Sequence, residues 1–273
     1  MPTPIPDKHT LYSLAAQNPA RDAALLLAIL RDRTPHRSAR GRRLRGPTLG
    51  EDFSGTAALS RAWCDLARSH AAIAVDHDPD VLARARPHPR VRLVHADVLA
   101  VKARVDLIAV QNFSICELKT RPALLAYLRH ARARLTRAGL LVCDIYAGAD
   151  AFATGTIRDV VDAPGLPRGT SLAYSWEQRT ADPLTGRVVN AMHFALRARG
   201  TRVAHLPDAF VYDWRLWSVP ELRDAMAEAG FASTFVYPRT PDALDSRGKP
   251  HVLPVDDPAD LGDSFNVYIV AQR

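Results

Sequence analysis

Apolar and polar positions follow a regular order between Pro47 and Tyr146. Thr48–Asp52 starts apolar and ends on the acidic pair Glu51-Asp52, and a compact turn, Ser54-Gly55-Thr56-Ala57, comes next. Ala57–Ser69 then predicts the first crossover helix. Two further apolar runs, Ala71–Asp76 and Val91–His95, predict strands; one closes on Asp76 and the other leads to Asp97. Between them Pro79 opens a short helix over Pro79–Ala85, and Pro87-His88-Pro89 breaks the chain. Val105–Val110 is nearly all apolar, as a strand covered on both faces should be, and Gln111-Asn112-Phe113 stands at its carboxyl end. Arg121–Leu135 is an amphipathic helix ended by Ala138-Gly139, and Leu140–Ile145 is a fifth strand ending at Asp144-Ile145-Tyr146. Strand, tight turn, helix, strand, acid, helix, strand, acid is the order of a nucleoside-binding half of a doubly wound α/β sheet.

Outside this stretch the pattern changes. Residues 1–10 are read as loose, and Leu11–Arg33 as helical with a break at Pro19, where Asn18-Pro19 is a start signal. Residues 34–46 form a basic, glycine-containing loop. Ala151–Gly169 is punctuated by glycine and proline and is read as a cover over the cleft. Ser171–Thr180, Arg187–Arg197 and Thr201–Tyr212 predict three strands of an antiparallel meander, turned at Asp182–Gly186 and Gly200. Ser218-Val219-Pro220-Glu221 opens a helix to Ala229 that Gly230 stops. Phe231–Tyr237 and Ser264–Val270 are closing strands, with Arg239–Leu261 a polar loop between them. The expected organisation is an N-terminal helical cap and basic loop (1–46), a cofactor-binding core (47–148), a lid with the antiparallel insertion (149–217), and a C-terminal helix with closing strands (218–273).

Composition narrows the class. A chain of 273 residues with 47% hydrophobic positions can bury a sizeable core. Met1 to Lys8 is polar and proline-rich, so no secretory leader is expected, and no apolar run reaches the roughly 18–20 residues of a membrane span. Cys64, Cys116 and Cys143 are far apart, without metal spacing; they fit a reduced cytoplasm, and no membrane association or metal is expected. The net charge of +7 comes from 36 basic residues of which only Lys8, Lys102, Lys119 and Lys249 are lysines. An arginine-biased composition accounts for it as well as nucleic-acid binding does. The one dense cluster, Arg37–Arg45, is either a solvated surface or a phosphate contact.

The turn after the first strand limits the ligand. Gly55 allows a sharp bend and close approach of a ligand to the backbone. The three spaced glycines of a dinucleotide site are absent, and a ligand with one carboxylate and a nucleoside makes lighter demands than a pyrophosphate. Asp76 can take two hydroxyl donors side by side, because a carboxylate offers two adjacent acceptor oxygens. Asp52 is open to pairing with the Arg42–Arg45 loop, and Asp106 and His95 read as structural.

With these residues in view, Leu49–Ile145 and the closing strands resemble the class I S-adenosylmethionine-dependent methyltransferases. Glu51 matches the acid of the family's acid-x-Gly-x-Gly-x-Gly motif and Gly55 its middle glycine; Phe53 and Ala57 stand at the outer glycine positions. The variant "EDFSGTAALSRAW", Asn112-Phe113-Ser114 and "YDWRLW" at Tyr212–Trp217 are similar to one branch of that family. The resemblance implies a mostly parallel, seven-stranded Rossmann-like sheet with the meander inserted, and S-adenosyl-L-methionine as cofactor, leaving as S-adenosyl-L-homocysteine. It places Asp76 on the ribose hydroxyls, His77 beside the adenine, Asp97 on the adenine amino group and the Val98 N–H at a ring nitrogen. Glu51, with Phe53 and Gly55 in the same turn, faces the amino group. Gln111 and Asn112 lie by the methionine part, and Tyr12 closes over the cofactor or packs in a core.

The expected reaction is methyl transfer to a small-molecule acceptor. His193 is the candidate base, with Tyr146 and Trp214 on the acceptor side; the aromatics of the meander are either a lid or a second core. The alternatives are an RNA methyltransferase using Arg37–Arg45 and a scaffold that keeps the cofactor fold without turnover. The meander is open to use as an acceptor wall or as a homodimer contact.

Overall fold

A computed structural model describes residues 6–34, 46–161 and 166–273. The basic cluster Arg37–Arg45 lies outside the described residues. In chain order the elements are α1 Lys8–Ala16, α2 Pro19–Arg33, β1 Thr48–Asp52, α3 Ala58–Asp65, β2 Ala71–Asp76, α4 Pro79–Leu82, β3 Val91–His95 and β4 Val105–Val110. Next come α5 Arg121–Arg134, β5 Leu135–Gly148, β6 Gly155–Val161, β7 Thr170–Asp182, β8 Arg187–Ala198 and β9 Thr201–Arg215. The chain closes with α6 Val219–Glu228, β10 Ser233–Pro238, β11 Ala243–Leu244, β12 Pro250–His251 and β13 Ser264–Gln272. They fall into two compact units, one of residues 6–18 with Phe152–Leu216 and one of Pro19–Ala151 with Trp217–Arg273.

The larger unit is built on a seven-stranded sheet in the order β10-β13-β5-β4-β1-β2-β3. β1 to β5 run parallel, and β13 is antiparallel to both β5 and β10. This is the doubly wound, mostly parallel sheet the sequence predicts. Strand order reverses between β1 and β4, which is where such sheets open a crevice for ligands. Leu49, Leu107, Leu140, Val142 and Val270 project to one face, against Leu25, Leu26 and Ile29 of α2 and Trp63 of α3. Gly50 and Asp52 alternate to the other face. There a side chain at Gly50 would meet Arg134, from the end of α5, at 3.4 Å, and Asp52 bonds to Arg134 and Tyr127. Helices therefore cover both faces, and the central strands are apolar because they have no solvent side.

The Arg42–Arg45 loop, to which pairing of Asp52 was open, lies outside the described residues; among the described residues Asp52 has other partners. It is wholly buried, and its carboxylate takes Arg134 Nη1 at 3.0 and 2.7 Å and the Tyr127 hydroxyl at 2.9 Å. Asp106 accepts from the Thr48 N–H and the Thr136 hydroxyl, tying the starts of β1 and β5 to β4.

The smaller unit is an antiparallel sheet in the order β6-β7-β8-β9. Leu172, Met192, Phe194 and Leu196 alternate onto one face and bury Leu11 of α1. Several elements differ from their sequence reading; β5, for one, starts at Leu135 and includes the Ala138-Gly139 read as the end of the helix before it. α1 begins at Lys8, inside the stretch read as loose, because Asp7 caps it by accepting from the His9 N–H. Within Ala151–Gly169, read as a cover, Gly155–Val161 pairs with β7 as an edge strand. In the polar loop after β10, β11 and β12 form a minimal hairpin. Among the described residues no helix is long and apolar enough to cross a membrane.

Candidate functional site

The register of the large sheet brings its candidate residues to one edge. Asp52 is level with Val75 of β2 and Val110 of β4, and Asp76 with His95 of β3. One step further along each strand stand Phe53, Asp76 and Gln111. Two turns occupy the edge at the reversal of strand order, one after β1 and one after β4.

The first turn is left-handed at alternate residues: Phe53 at φ +59°, Gly55 at +54° and Ala57 at +54°. These are the three positions the resemblance assigns to glycine. Phe53 and Ala57 hold this conformation with side chains, at a cost of about 1 kcal/mol or more each. The turn is held from β2: the Gly55 N–H donates to Asp76 Oδ2 at 2.7 Å, and the Ser54 N–H to the Val75 carbonyl at 2.9 Å. Asp76 Oδ1 accepts from the Asp78 N–H at 3.0 Å, which opens α4. Asp76 thus fixes both loops beside it, and each oxygen keeps a second lone pair for a ligand. A Cβ on Gly55 would find only Val81, at 3.7 Å, so glycine is needed here for its backbone angle rather than for room.

Glu51 points back from the end of β1 and accepts from the Ser60 N–H of α3 at 2.8 Å. Burial pushes its carboxyl up to about 7, against the opposing pull of the Ser60 bonds and the Arg61 charge. The folded chain therefore holds a proton here that the unfolded chain releases near 4.5. The resulting stabilisation is complete below that pH and is lost as pH rises through about 7. Over that window the wild type should lose about 3 kcal/mol more unfolding free energy than Glu51→Gln, which lacks the proton. Urea titrations of both proteins at a series of pH values check this; parallel pH profiles would contradict it.

The second turn follows β4. Asn112 and Phe113 are both left-handed, at φ +57° and +63°. Their N–H groups donate to Asp144 at 3.1 and 2.8 Å. Gln111 is buried, and its Oε1 has no partner among the described residues; the same holds for the buried Ser54 Oγ in the first turn. Two buried polar atoms without a partner among the described residues, in two left-handed turns at one strand edge, can each serve a ligand bound there.

The other predicted residues fall in two places. Asp97 is exposed beyond β3 and caps a short helical turn by accepting from the Leu99 N–H at 2.7 Å, with Val98 buried behind it. His77 is exposed next to Asp76. Tyr146, at the end of β5, sets its ring edge-on to Phe113, centroids 5.2 Å apart. Tyr12, His193 and Trp214 belong to the smaller unit. Tyr12 packs on Phe210 there, and Trp214 is buried and stacks on Tyr212 at 4.4 Å. His193 Nδ1 accepts from the Asp208 N–H at 2.9 Å, and its Nε2 lies 3.1 Å from Glu177 Oε2. Arg179 pairs with both Glu177 and Asp208. Sequence reasoning missed Asp144 as a support and Arg239 as its partner, Nη1 to Oδ2 at 2.9 Å.

Solved structures share this architecture. An amino pentose methyltransferase from Micromonospora echinaspora, involved in calicheamicin biosynthesis and solved with S-adenosylmethionine bound, matches with a TM-score of 0.68 at 16% identity, over 100% of this chain and 99% of that one. A sugar N-methyltransferase from Streptoalloteichus sp ATCC 53650 matches at 0.65 and 17% identity, over 100% and 95%. An S-adenosylmethionine-dependent methyltransferase from Clostridium acetobutylicum ATCC 824 matches at 0.60 and 13% identity, over 97% and 96%. The chain has the fold of S-adenosylmethionine-dependent methyltransferases. No protein-family model matches the sequence, and no curated protein does.

The polar groups at this strand edge can be matched to S-adenosylmethionine. Its hydrogen-bond donors are a ribose diol, an adenine amine and an ammonium, and the strand edge offers acceptors: Asp76, Asp97, Glu51 and the unmatched Gln111 Oε1. Its carboxylate needs a donor, and the unmatched Ser54 Oγ can be one.

Proposed function

We propose that this protein is an S-adenosylmethionine-dependent methyltransferase acting on a small-molecule acceptor. The observation that supports this best is the array of carboxylates at consecutive strand ends beside the left-handed turn at Phe53–Ala57. Asp76 would hold the ribose hydroxyls and Asp97 the adenine amine, with the Val98 N–H on the ring. Glu51 and Gln111 would take the ammonium, and Asn112 would flank the methionine part. His77, Phe53 and Tyr12 complete the proposed cofactor set.

The cofactor supplies a methyl group on a sulfonium, already a good leaving group. The protein's share is then to hold the nucleophile in line and to exclude water. An amine nitrogen asks least of it, because the proton it sheds needs no strong base. His193, Tyr146 and Trp214 are the proposed acceptor-side residues. The structural relatives include an amino pentose methyltransferase and a sugar N-methyltransferase, so amino sugars are the first acceptors to assay.

The test uses cofactor labelled in the methyl group and a cell extract separated into small molecules and RNA. Label is expected in the small-molecule fraction. Label confined to RNA, with binding that falls steeply as salt rises, would replace this reading with the one built on Arg37–Arg45. Cofactor binding without label in any fraction would point to a scaffold without turnover.

A further inference from the structure

The turn after β4 is held by two residues that neither the sequence pattern nor the proposed cofactor contacts account for. Asp144, on β5, is fully buried, and each of its oxygens accepts one N–H from the turn, Oδ2 from Asn112 and Oδ1 from Phe113. The carboxylate has no contact with water, so its charge needs a partner inside the protein. Arg239, just past the end of β10, supplies it: Nη1 lies 2.9 Å from Asp144 Oδ2, with the Arg239 side chain only 17% exposed. The same guanidinium lies 6.0 Å from the centroid of Phe113 and 5.6 Å from that of Tyr268, and Nη2 is 3.6 Å from Asp22 of α2. One side chain thus neutralises the acid that holds the turn and also covers a ring within the turn.

We propose that Arg239 and Asp144 are positioning residues that lock Gln111-Asn112-Phe113 in the conformation that presents Gln111 to the cofactor. Neither is a catalytic residue. A simple chain reversal would be easier with glycine at either left-handed position. Asn112 and Phe113 keep side chains there, and the backbone bonds to Asp144 hold the conformation. Because Gln111 Oε1 is buried without a partner among the described residues, the direction in which the turn aims it decides whether a ligand can reach it. The ligand part of this inference rests on the methyltransferase reading; the locking part does not.

Calorimetry with S-adenosylhomocysteine and amide hydrogen exchange on the full chain separate the two. Arg239→Gln should raise the dissociation constant about tenfold, the value of one charge-assisted contact, and speed exchange at Asn112 and Phe113 by a similar factor. Arg239→Lys keeps the charge beside Asp144 and should restore most of the affinity. A purely structural ion pair would lower the melting temperature and leave the affinity of the folded protein unchanged; that result overturns the proposal. Should Arg239→Gln not fold, the wild type decides: the two amides should be strongly protected, and fast exchange there overturns the lock. If the wild type binds no S-adenosylhomocysteine, the methyltransferase reading fails, and the exchange data still judge the lock.

Discussion

Asp76→Ala should weaken S-adenosylhomocysteine binding about 100-fold, the loss expected for two charge-assisted hydrogen bonds of about 1.5 kcal/mol each. The substitution removes the proposed ribose acceptor and also frees the Gly55 and Asp78 N–H groups, which now fix the loops on either side. Asp76→Asn keeps one acceptor oxygen and should lose about tenfold. His193→Ala should leave the affinity within about twofold, because both ring nitrogens are already engaged by Asp208 and Glu177 in the smaller unit. Titration calorimetry of the three variants gives the order directly. Equal losses for Asp76→Ala and His193→Ala would remove the roles assigned to them.

The largest effect on stability is expected at Arg134. Arg134→Leu should lower the unfolding free energy by about 3–5 kcal/mol, because it strands the buried Asp52 carboxylate without its counter-charge. Tyr127 would remain its only bonded partner among the described residues. The double variant Asp52→Leu, Arg134→Leu removes both charges and should recover most of that loss, since an apolar replacement of a buried pair is often close to neutral. Urea unfolding of the single and double variants measures both numbers. A single variant as stable as the wild type would show that Asp52 is not charged in the fold, or that water reaches it.

The parallel half of the sheet was legible because its signal is repeated. Four apolar runs each end on a polar group, and the sheet needs that alternation to bury its centre and expose its carboxyl edge. The turn after β1 was legible only in part. In the sequence Phe53 and Ala57 look like losses from a glycine motif. In the structure they adopt left-handed angles of the kind glycine favours, so the turn has the shape although these side chains do not favour it. Long-range partners left no trace along the chain. Asp52 and Arg134 are 82 positions apart, and Arg239 sits in a proline-containing stretch with no periodicity to mark it. A buried pair of this kind follows from which strands become neighbours, not from local spacing. The edge strand β6 was hidden for a different reason: it is exposed on both faces for most of its length, so its apolar residues carry no alternation that would identify it.

In the proposed function, carboxylates at adjoining strand ends and the turn at Phe53–Ala57 hold the adenosyl cofactor. Titrating the wild-type chain with S-adenosylhomocysteine by calorimetry at about pH 8, where Glu51 is mostly ionised, addresses it most directly. If the proposed function holds, saturable binding is expected. The absence of any binding heat up to millimolar ligand would contradict it.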